Sequence, residues 1–337
     1  MMTSRRLFQV LVSLLLALLL FWLAFREVNL QDLRVQLGSI RFGWLLPFTL
    51  ALFFSHYLRA VRWNLLLDDS PAKGRRSTLF AGVMVGYLLN FLFPRLGELS
   101  RPLYVTSRTG ANTGNLFGTI ILERILDLVC LVLLLLFITL YVIKDPEVVG
   151  QIFGTGDWGQ MLYFILPALL ILFIVSVWGV YRLLLRLHRE GRIHNPLLRK
   201  VIYLGLKFWE GLSSIRKVKN WPLFLISSAG IWVGYALMTY IPFWMLDLQV
   251  QYDLGIPEAV VITVISAVGM ALPVPGGLGA FHLFVQQSMW ALYSVPLATG
   301  LTFATVLHAT NIVLVFLVCA AALWYDKYYT LLRKPAR

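Results

Sequence analysis

Four short stretches place side chains capable of chemistry inside otherwise apolar sequence. HYLRAVRWNLLL, from position 56, carries Arg59, Arg62 and Trp63; NFLFPRLGELSR, from 90, carries Asn90, Arg95, Glu98 and Arg101. LERILDL, from 122, carries Glu123, Arg124 and Asp127, and PVPGGLGAFH, from 273, ends on His282. A charged side chain at the centre of a bilayer costs about 2.5 to 3.5 kcal/mol on insertion scales, so ionisable groups in apolar segments are candidates for a path or a binding site. Forked guanidinium groups match the oxygens of a phosphate, whereas carboxylates would bind an amine or balance the arginines. Arg59, Arg95 and Arg101 are the candidates to hold phosphate; Glu98, Glu123 and Asp127 are the candidates to balance them.

Spacing sets limits on how these groups can meet. If a helix resumes after Pro94, Glu98 and Arg101 lie one turn apart. Glu123 and Asp127, at i and i+4, share a helical face with Arg124 beside them. At 1.5 Å per residue Glu123 is roughly 12 Å in from Asn115, near the middle of a ~30 Å hydrocarbon core. Two carboxylates stacked there repel unless a cation, a proton or an arginine intervenes. Arg95 or Arg101 of the preceding broken segment is the economical partner, in a functional site or in a plain structural ion pair. Arg59 and Arg62 have two readings: snorkelling to inner headgroups with Trp63 as an interfacial anchor, or gripping a lipid phosphate.

The elements that must position these residues are membrane helices. The chain has 59% hydrophobic and 13% charged residues, with a mean hydropathy of +0.78, far from the mix of a soluble domain. Long, nearly charge-free runs indicate helices rather than barrel strands. The expected fold is an all-α integral membrane protein, a single polytopic domain over 1–337. It has about six full transmembrane helices, near 7–25, 43–67, 115–143, 161–187, 222–246 and 300–325. Residues 7–25 read as a retained span, not a cleaved signal peptide. Lysine and arginine crowd the amino terminus, 68–77, 188–221 and the tail, which the positive-inside rule places in the cytoplasm with both termini. The acidic loops 144–160 and 247–257 belong outside.

Those assignments leave 78–114 and 258–293 entering and leaving on one face each: two re-entrant broken helical hairpins from opposite sides, an inverted pseudo-repeat. Pro94 and Gly97 mark the first break; Pro273, Pro275, Gly276, Gly277 and Gly279 mark the second. Each is either a tight turn in which Pro stops a helix and Gly relieves crowding, or half of an inverted pair enclosing a central site. In the second case the glycine N–H groups of 276–279 are positioned to form an anion-binding nest.

Other function classes fall away. Cys130 and Cys319 sit in apolar runs, so no disulfide framework or thiolate metal cluster is indicated. Residues 188–221 read as a basic amphipathic cytoplasmic linker, helical over 196–219, lying on anionic inner-leaflet lipids. That surface accounts for the net charge of +13 better than nucleic acid, for which no folded basic domain is present. There is no GxxxxGK[ST] and no HExxH, so neither a nucleotide nor any other cofactor is expected and no metal site is assigned.

The motifs RAVRWNLLL, NFLFPRLGELSRPL, LERILDL and PVPGGLGAFH, in that order over nearly the full chain, resemble the flippase-like transmembrane family. This is the membrane region that bacterial lysylphosphatidylglycerol synthases place ahead of an aminoacyl-transfer domain. The resemblance implies a multispanning bacterial inner-membrane protein with re-entrant helices that moves or presents lipids between leaflets. Its motif residues fall on Arg59, Arg62, Trp63, Asn90, Pro94, Arg95, Gly97, Glu98, Arg101, Glu123, Arg124, Asp127 and the Pro273–Gly279 turn. Where the family pattern has an acid after that turn this chain has His282, a group that titrates near neutral pH or hydrogen-bonds a carbonyl.

A lipid translocase is therefore the leading expectation, with a phospholipid or lipid-linked headgroup as substrate, no catalytic residue, and either a homo-oligomer or a separate lipid-synthesising partner. An intramembrane transferase using Glu98, Glu123 or Asp127 as base, with His282 or His308 assisting, is the first rival. An ion-coupled carrier of a small solute is the second.

Overall fold

The computed structural model describes residues 15, 18–26, 30–67, 70–138 and 213–332, with scattered positions between 172 and 209. The outer loop 144–160, most of the span expected at 161–187, most of the linker 188–221 and residues 1–14 lie outside the described residues. The described part is helical as expected, without a strand: α1 Leu30–Gly38, α2 Leu45–Leu65, α3 Arg76–Leu92, α4 Leu96–Thr109, α5 Thr113–Phe137, α6 Trp221–Met245, α7 Ile256–Ala271, α8 Ala280–Tyr293 and α9 Leu297–Leu332. The end of the linker, Ser213–Lys217, is a 3-10 turn, so an α-helix does not run through to 219.

Among the described residues, three helical stretches are long and apolar enough to cross a bilayer, Phe42–Leu65, Trp221–Met245 and Leu297–Tyr328. They coincide with expected spans. Helix α5 has 25 residues, but its charged LERILDL segment interrupts the apolar run.

Local chemistry sets the helix ends. Asn112 accepts from the N–H of Asn115 at 3.1 Å and Asn220 from that of Leu223 at 3.0 Å, capping α5 and α6. Pro222 and Pro257 occupy first-turn positions that need no N–H donor. The Glu258 carboxylate accepts from the N–H of Gly255 at 2.8 Å.

The two breaks follow from the same rules. A residue before proline is pushed out of the helical region, and Phe93 (φ −139°, ψ 132°) ends α3 in extended backbone before Pro94. Leu272 (φ −63°, ψ 145°) and Val274 (φ −114°, ψ 146°) do the same before Pro273 and Pro275. The chain then reverses through left-handed residues: Arg95 at φ 62° in the first turn, and Gly276, Gly277 and Gly279 at φ 57°, 71° and 78° in the second.

The described residues fall into two compact units. One comprises Met1–Leu65, Ala72–Thr109 and Asn220–Arg337; the other comprises Leu66–Pro71 and Gly110–Lys219. In the first unit small residues let helices approach closely, the usual device where apolar burial gives no drive between helices. Gly234 of α6 packs on Ser55 of α2, whose hydroxyl donates to the Ile231 carbonyl at 3.2 Å. Gly82 faces Val105 while Gly86 faces Gly97 and Arg101, so α3 and α4 form an antiparallel hairpin. Gly269 faces Ala280 and Phe281, closing α7 on α8.

Helix α9 is the spine along which both hairpins lie. Near its start, Gly300 packs on Gln286 of α8, whose side-chain amide donates to the Leu297 carbonyl at 3.2 Å. Near its end, Asp326 accepts from Thr78 at the start of α3. Between them His308 meets both tips, with Phe91 at 6.1 Å and His282 at 5.1 Å between ring centroids. His308 is about 16 Å along the helix from Leu297 and about 27 Å from Asp326 at 1.5 Å per residue. The hairpins thus approach from opposite ends of one spanning helix and meet part-way. A Cβ on Gly276 would lie 3.2 Å from the Phe91 carbonyl oxygen, which measures how closely the tips touch.

Candidate functional site

The arginines of α2 are turned into the helix bundle. Arg59 is 2% exposed, Arg62 0% and Trp63 0%. Snorkelling keeps the charged head at the polar surface, so these values overturn that reading, and Trp63 is not an interfacial anchor. Arg59 lies six residues and Arg62 three from the end of α2, about 9 and 5 Å by helical rise. Helix packing turns this end of α2 inward because α6 and the α3–α4 hairpin cover it.

A connected polar cluster surrounds the arginines. Arg59 donates through Nη2 to the Tyr235 hydroxyl of α6 at 2.9 Å, and that hydroxyl shares a 2.7 Å hydrogen bond with the Tyr87 hydroxyl of α3. The His56 ring lies on Tyr87 with centroids 4.2 Å apart. Arg101 of α4, also buried, sits over the Trp63 indole at 3.9 Å, close enough for a cation–π attraction of the order of 1 to 2 kcal/mol in a desolvated site. Arginines from two helices and tyrosines from two others are thereby gathered inside the unit, with Tyr235 mid-way along α6. Such planar donors and hydroxyls suit phosphate oxygens.

Beside it, Asp326 joins three side chains. Its two oxygens accept from the Thr78 hydroxyl at 2.6 Å and the Tyr104 hydroxyl at 2.7 Å, and Arg108 Nε lies 3.7 Å away. Thr78 is on the first leg of the hairpin and Tyr104 and Arg108 on the second, so one buried carboxylate ties both legs to α9. Reading the tail only as basic missed Asp326. The available signal was an acid set directly after the apolar run of the last span, in ALWYDKYY.

The remaining candidates divide by role. Asn90 holds the first turn: its Oδ1 accepts from the N–H of Gly97 at 2.7 Å. Arg95 is exposed at the hairpin tip. Helix α4 does resume after Pro94, with Glu98 half-buried in its first turn and Arg101 one turn on. In the second compact unit Glu123 is fully buried, while Arg124 pairs with Asp127 at 3.9 Å. Asp127 is thus balanced by its own neighbour.

The second turn corrects another expectation. The N–H of Gly277 is used by the Val274 carbonyl at 3.2 Å and that of Leu278 by the Pro275 carbonyl at 3.0 Å. An open nest of N–H groups over 276–279 is therefore not formed. Gly276, Gly277 and Gly279 serve the sharp reversal, with Gly276 against Phe91 and Gly277 against Met270. Pro273 is exposed and Pro275 half-buried at the ends of that reversal. His282 opens α8 beneath it, buried and stacked on His308.

The chain as a whole is similar to known sequences. The family model for the lysylphosphatidylglycerol synthase TM region matches residues 10–319. A UPF0104 membrane protein of Methanocaldococcus jannaschii is 24% identical over 192 residues, 57% of this chain and 74% of its own. A second UPF0104 membrane protein, from Pyrococcus horikoshii, is 24% identical over 311 residues, 87% of this chain and 89% of its own. No solved structure matches. With a family match over nearly its whole length and apolar helices able to span a bilayer, the chain is a membrane protein that belongs to the lysylphosphatidylglycerol synthase TM region family.

Proposed function

We propose that this protein is a lipid translocase, a carrier and not an enzyme, that moves a phosphate-bearing lipid between leaflets. The observation that carries the reading is the meeting of two broken hairpins part-way along α9 after approaching from its opposite ends. Interrupted helices that meet inside a bundle are the recurring architecture of alternating-access carriers, because irregular backbone at membrane depth is tolerated only where protein or a watery path surrounds it. Parting the tips on one side and then the other would expose a central site alternately.

The arginine–tyrosine cluster supplies the headgroup contact. With the basic loops in the cytoplasm, the Arg59 end of α2 would face the inner leaflet and Tyr235, mid-way along α6, would lie deeper, so a headgroup would reach the cluster from the inner face. Arg59 and Arg101 would take phosphate oxygens, with Tyr235 and Tyr87 fixing the Arg59 guanidinium.

Reconstitution of the full chain in liposomes with headgroup-labelled phosphatidylglycerol tests this. The label should change leaflet, chemically unaltered, faster than in protein-free vesicles. Tyr235→Phe removes the partner of a buried arginine, worth about 1 to 3 kcal/mol, and should slow movement roughly tenfold. Arg59→Lys, which lacks the planar fork, should slow it at least as much. A new lipid species would identify a transferase, and solute uptake without lipid movement would identify a small-solute carrier; either outcome sinks the proposal.

A further inference from the structure

The hairpin tips meet over two imidazoles that neither the arginine cluster nor helix packing requires. His282, in the first turn of α8, and His308, about a third of the way along α9, have ring centroids 5.1 Å apart and planes 29° apart. Both are buried. Their walls are apolar. Phe281 meets His308 edge-on at 4.9 Å, Phe91 of the other hairpin approaches it at 6.1 Å, and Phe21 meets His282 at 6.1 Å. His308 also faces the backbone of Gly276 in the second turn. Among the described residues of α3, α8, α9 and 18–26, no carboxylate, lysine or arginine faces either ring. Among the described residues, the one titratable group against each imidazole is the other.

We propose that His282 and His308 form a proton-binding site at the junction of the hairpins, and that one proton taken up by the pair drives the tips apart. The purpose of such a site, coupling lipid movement to a proton, rests on the translocase reading; its physics does not. A neutral imidazole pair fits apolar packing. One added proton makes a buried cation with no counter-ion among the described residues, which is costly. Two stacked imidazoles this close titrate as a coupled pair, because the charge gained by one ring resists protonation of the other. The cost is relieved by admitting water, and water enters only if the contact between Phe91 and Gly276 opens. The closed tips therefore favour the neutral pair and the open tips the protonated one. As pH falls the balance moves toward open, by at most about tenfold per pH unit for a single proton.

The test uses the full chain in phospholipid nanodiscs, with Cys130→Ser and Cys319→Ala removing the native thiols. Phe91→Cys then reports tip opening through its rate of maleimide modification, normalised at each pH to the same protein unfolded in detergent. The normalised rate should rise several-fold from pH 7.5 to 5.5. The rise should vanish when His282→Gln and His308→Gln are combined, and become shallower with either alone. Leu272→Cys on the opposing tip is a second reporter should Phe91→Cys not fold. A flat profile with both histidines present, or an equal rise with both replaced, overturns the proposal. Labelling does not measure lipid movement, so failure of the translocase reading and failure of the proton site are separately visible.

Discussion

Replacing Gly97 by alanine should unfasten the first hairpin. A Cβ at this position would fall inside the contact distance of the Gly86 carbonyl oxygen on α3, and 2.7 Å from Cγ and Oδ1 of Asn90. Neither neighbour can yield cheaply. Gly86 offers backbone, and Asn90 Oδ1 is fixed by its 2.7 Å hydrogen bond from the N–H of Gly97. Restoring ordinary contact needs α3 and α4 to separate by roughly 1 Å, which breaks that bond as well. Overpacking of a tight interface costs about 1 to 3 kcal/mol and the lost hydrogen bond about 1 more, so the variant should be less stable by about 2 to 4 kcal/mol. Unfolding in mild detergent, followed by the fluorescence of the 11 tryptophans, gives the measurement. Asn90→Ala, which loses the bond without adding a clash, should cost about 1 to 2 kcal/mol. Gly43→Ala has nothing within 4 Å of the added Cβ and should change stability by less than about 0.5 kcal/mol, as exposed substitutions do. If Gly97→Ala matches Gly43→Ala, the close approach at Gly86 is not what closes the hairpin and the reasoning fails.

Two further changes have defined outcomes. Asp326→Asn removes the charge facing Arg108 and turns an N–H toward one of the two hydroxyls that now donate to it; a loss of about 1 to 3 kcal/mol should appear in the same unfolding measurement, with Thr78→Val costing less. Gly276→Ala places a side chain at φ 57° and 3.2 Å from Phe91; the left-handed conformation alone costs about 1 to 2 kcal/mol, and the maleimide accessibility of Phe91→Cys should rise at every pH.

Much of the architecture was legible because it depends on short-range rules. The breaks at Pro94 and at Pro273 and Pro275 follow from what proline does to the residue before it, and the second reversal from glycine's access to left-handed backbone; the first reversal turns instead on Arg95 at φ 62°, which its residue type does not announce. The three described helices long and apolar enough to cross a bilayer follow from length and apolar content. The cluster was legible only as a set of candidates. Arg59, Arg62 and Trp63 sit where snorkelling is the ordinary behaviour, and nothing in their spacing says that α6 and the α3–α4 hairpin cover them. The glycine nest failed for a related reason: whether a turn's N–H groups are free depends on which carbonyls the finished turn presents.

By itself, then, the sequence determined that this is an all-α membrane protein, where its helices break, and which ionisable residues must be accommodated within it. Composition and backbone sterics act locally and leave their mark in local pattern. Only tertiary structure decided that Arg59 meets Tyr235, that Asp326 joins Thr78 to Tyr104, and that His282 lies on His308. The first contact spans 176 positions and those of Asp326 span 248 and 222. Partners so far apart are chosen by which helix faces pack together, and helical periodicity records only that a face exists, not what it meets.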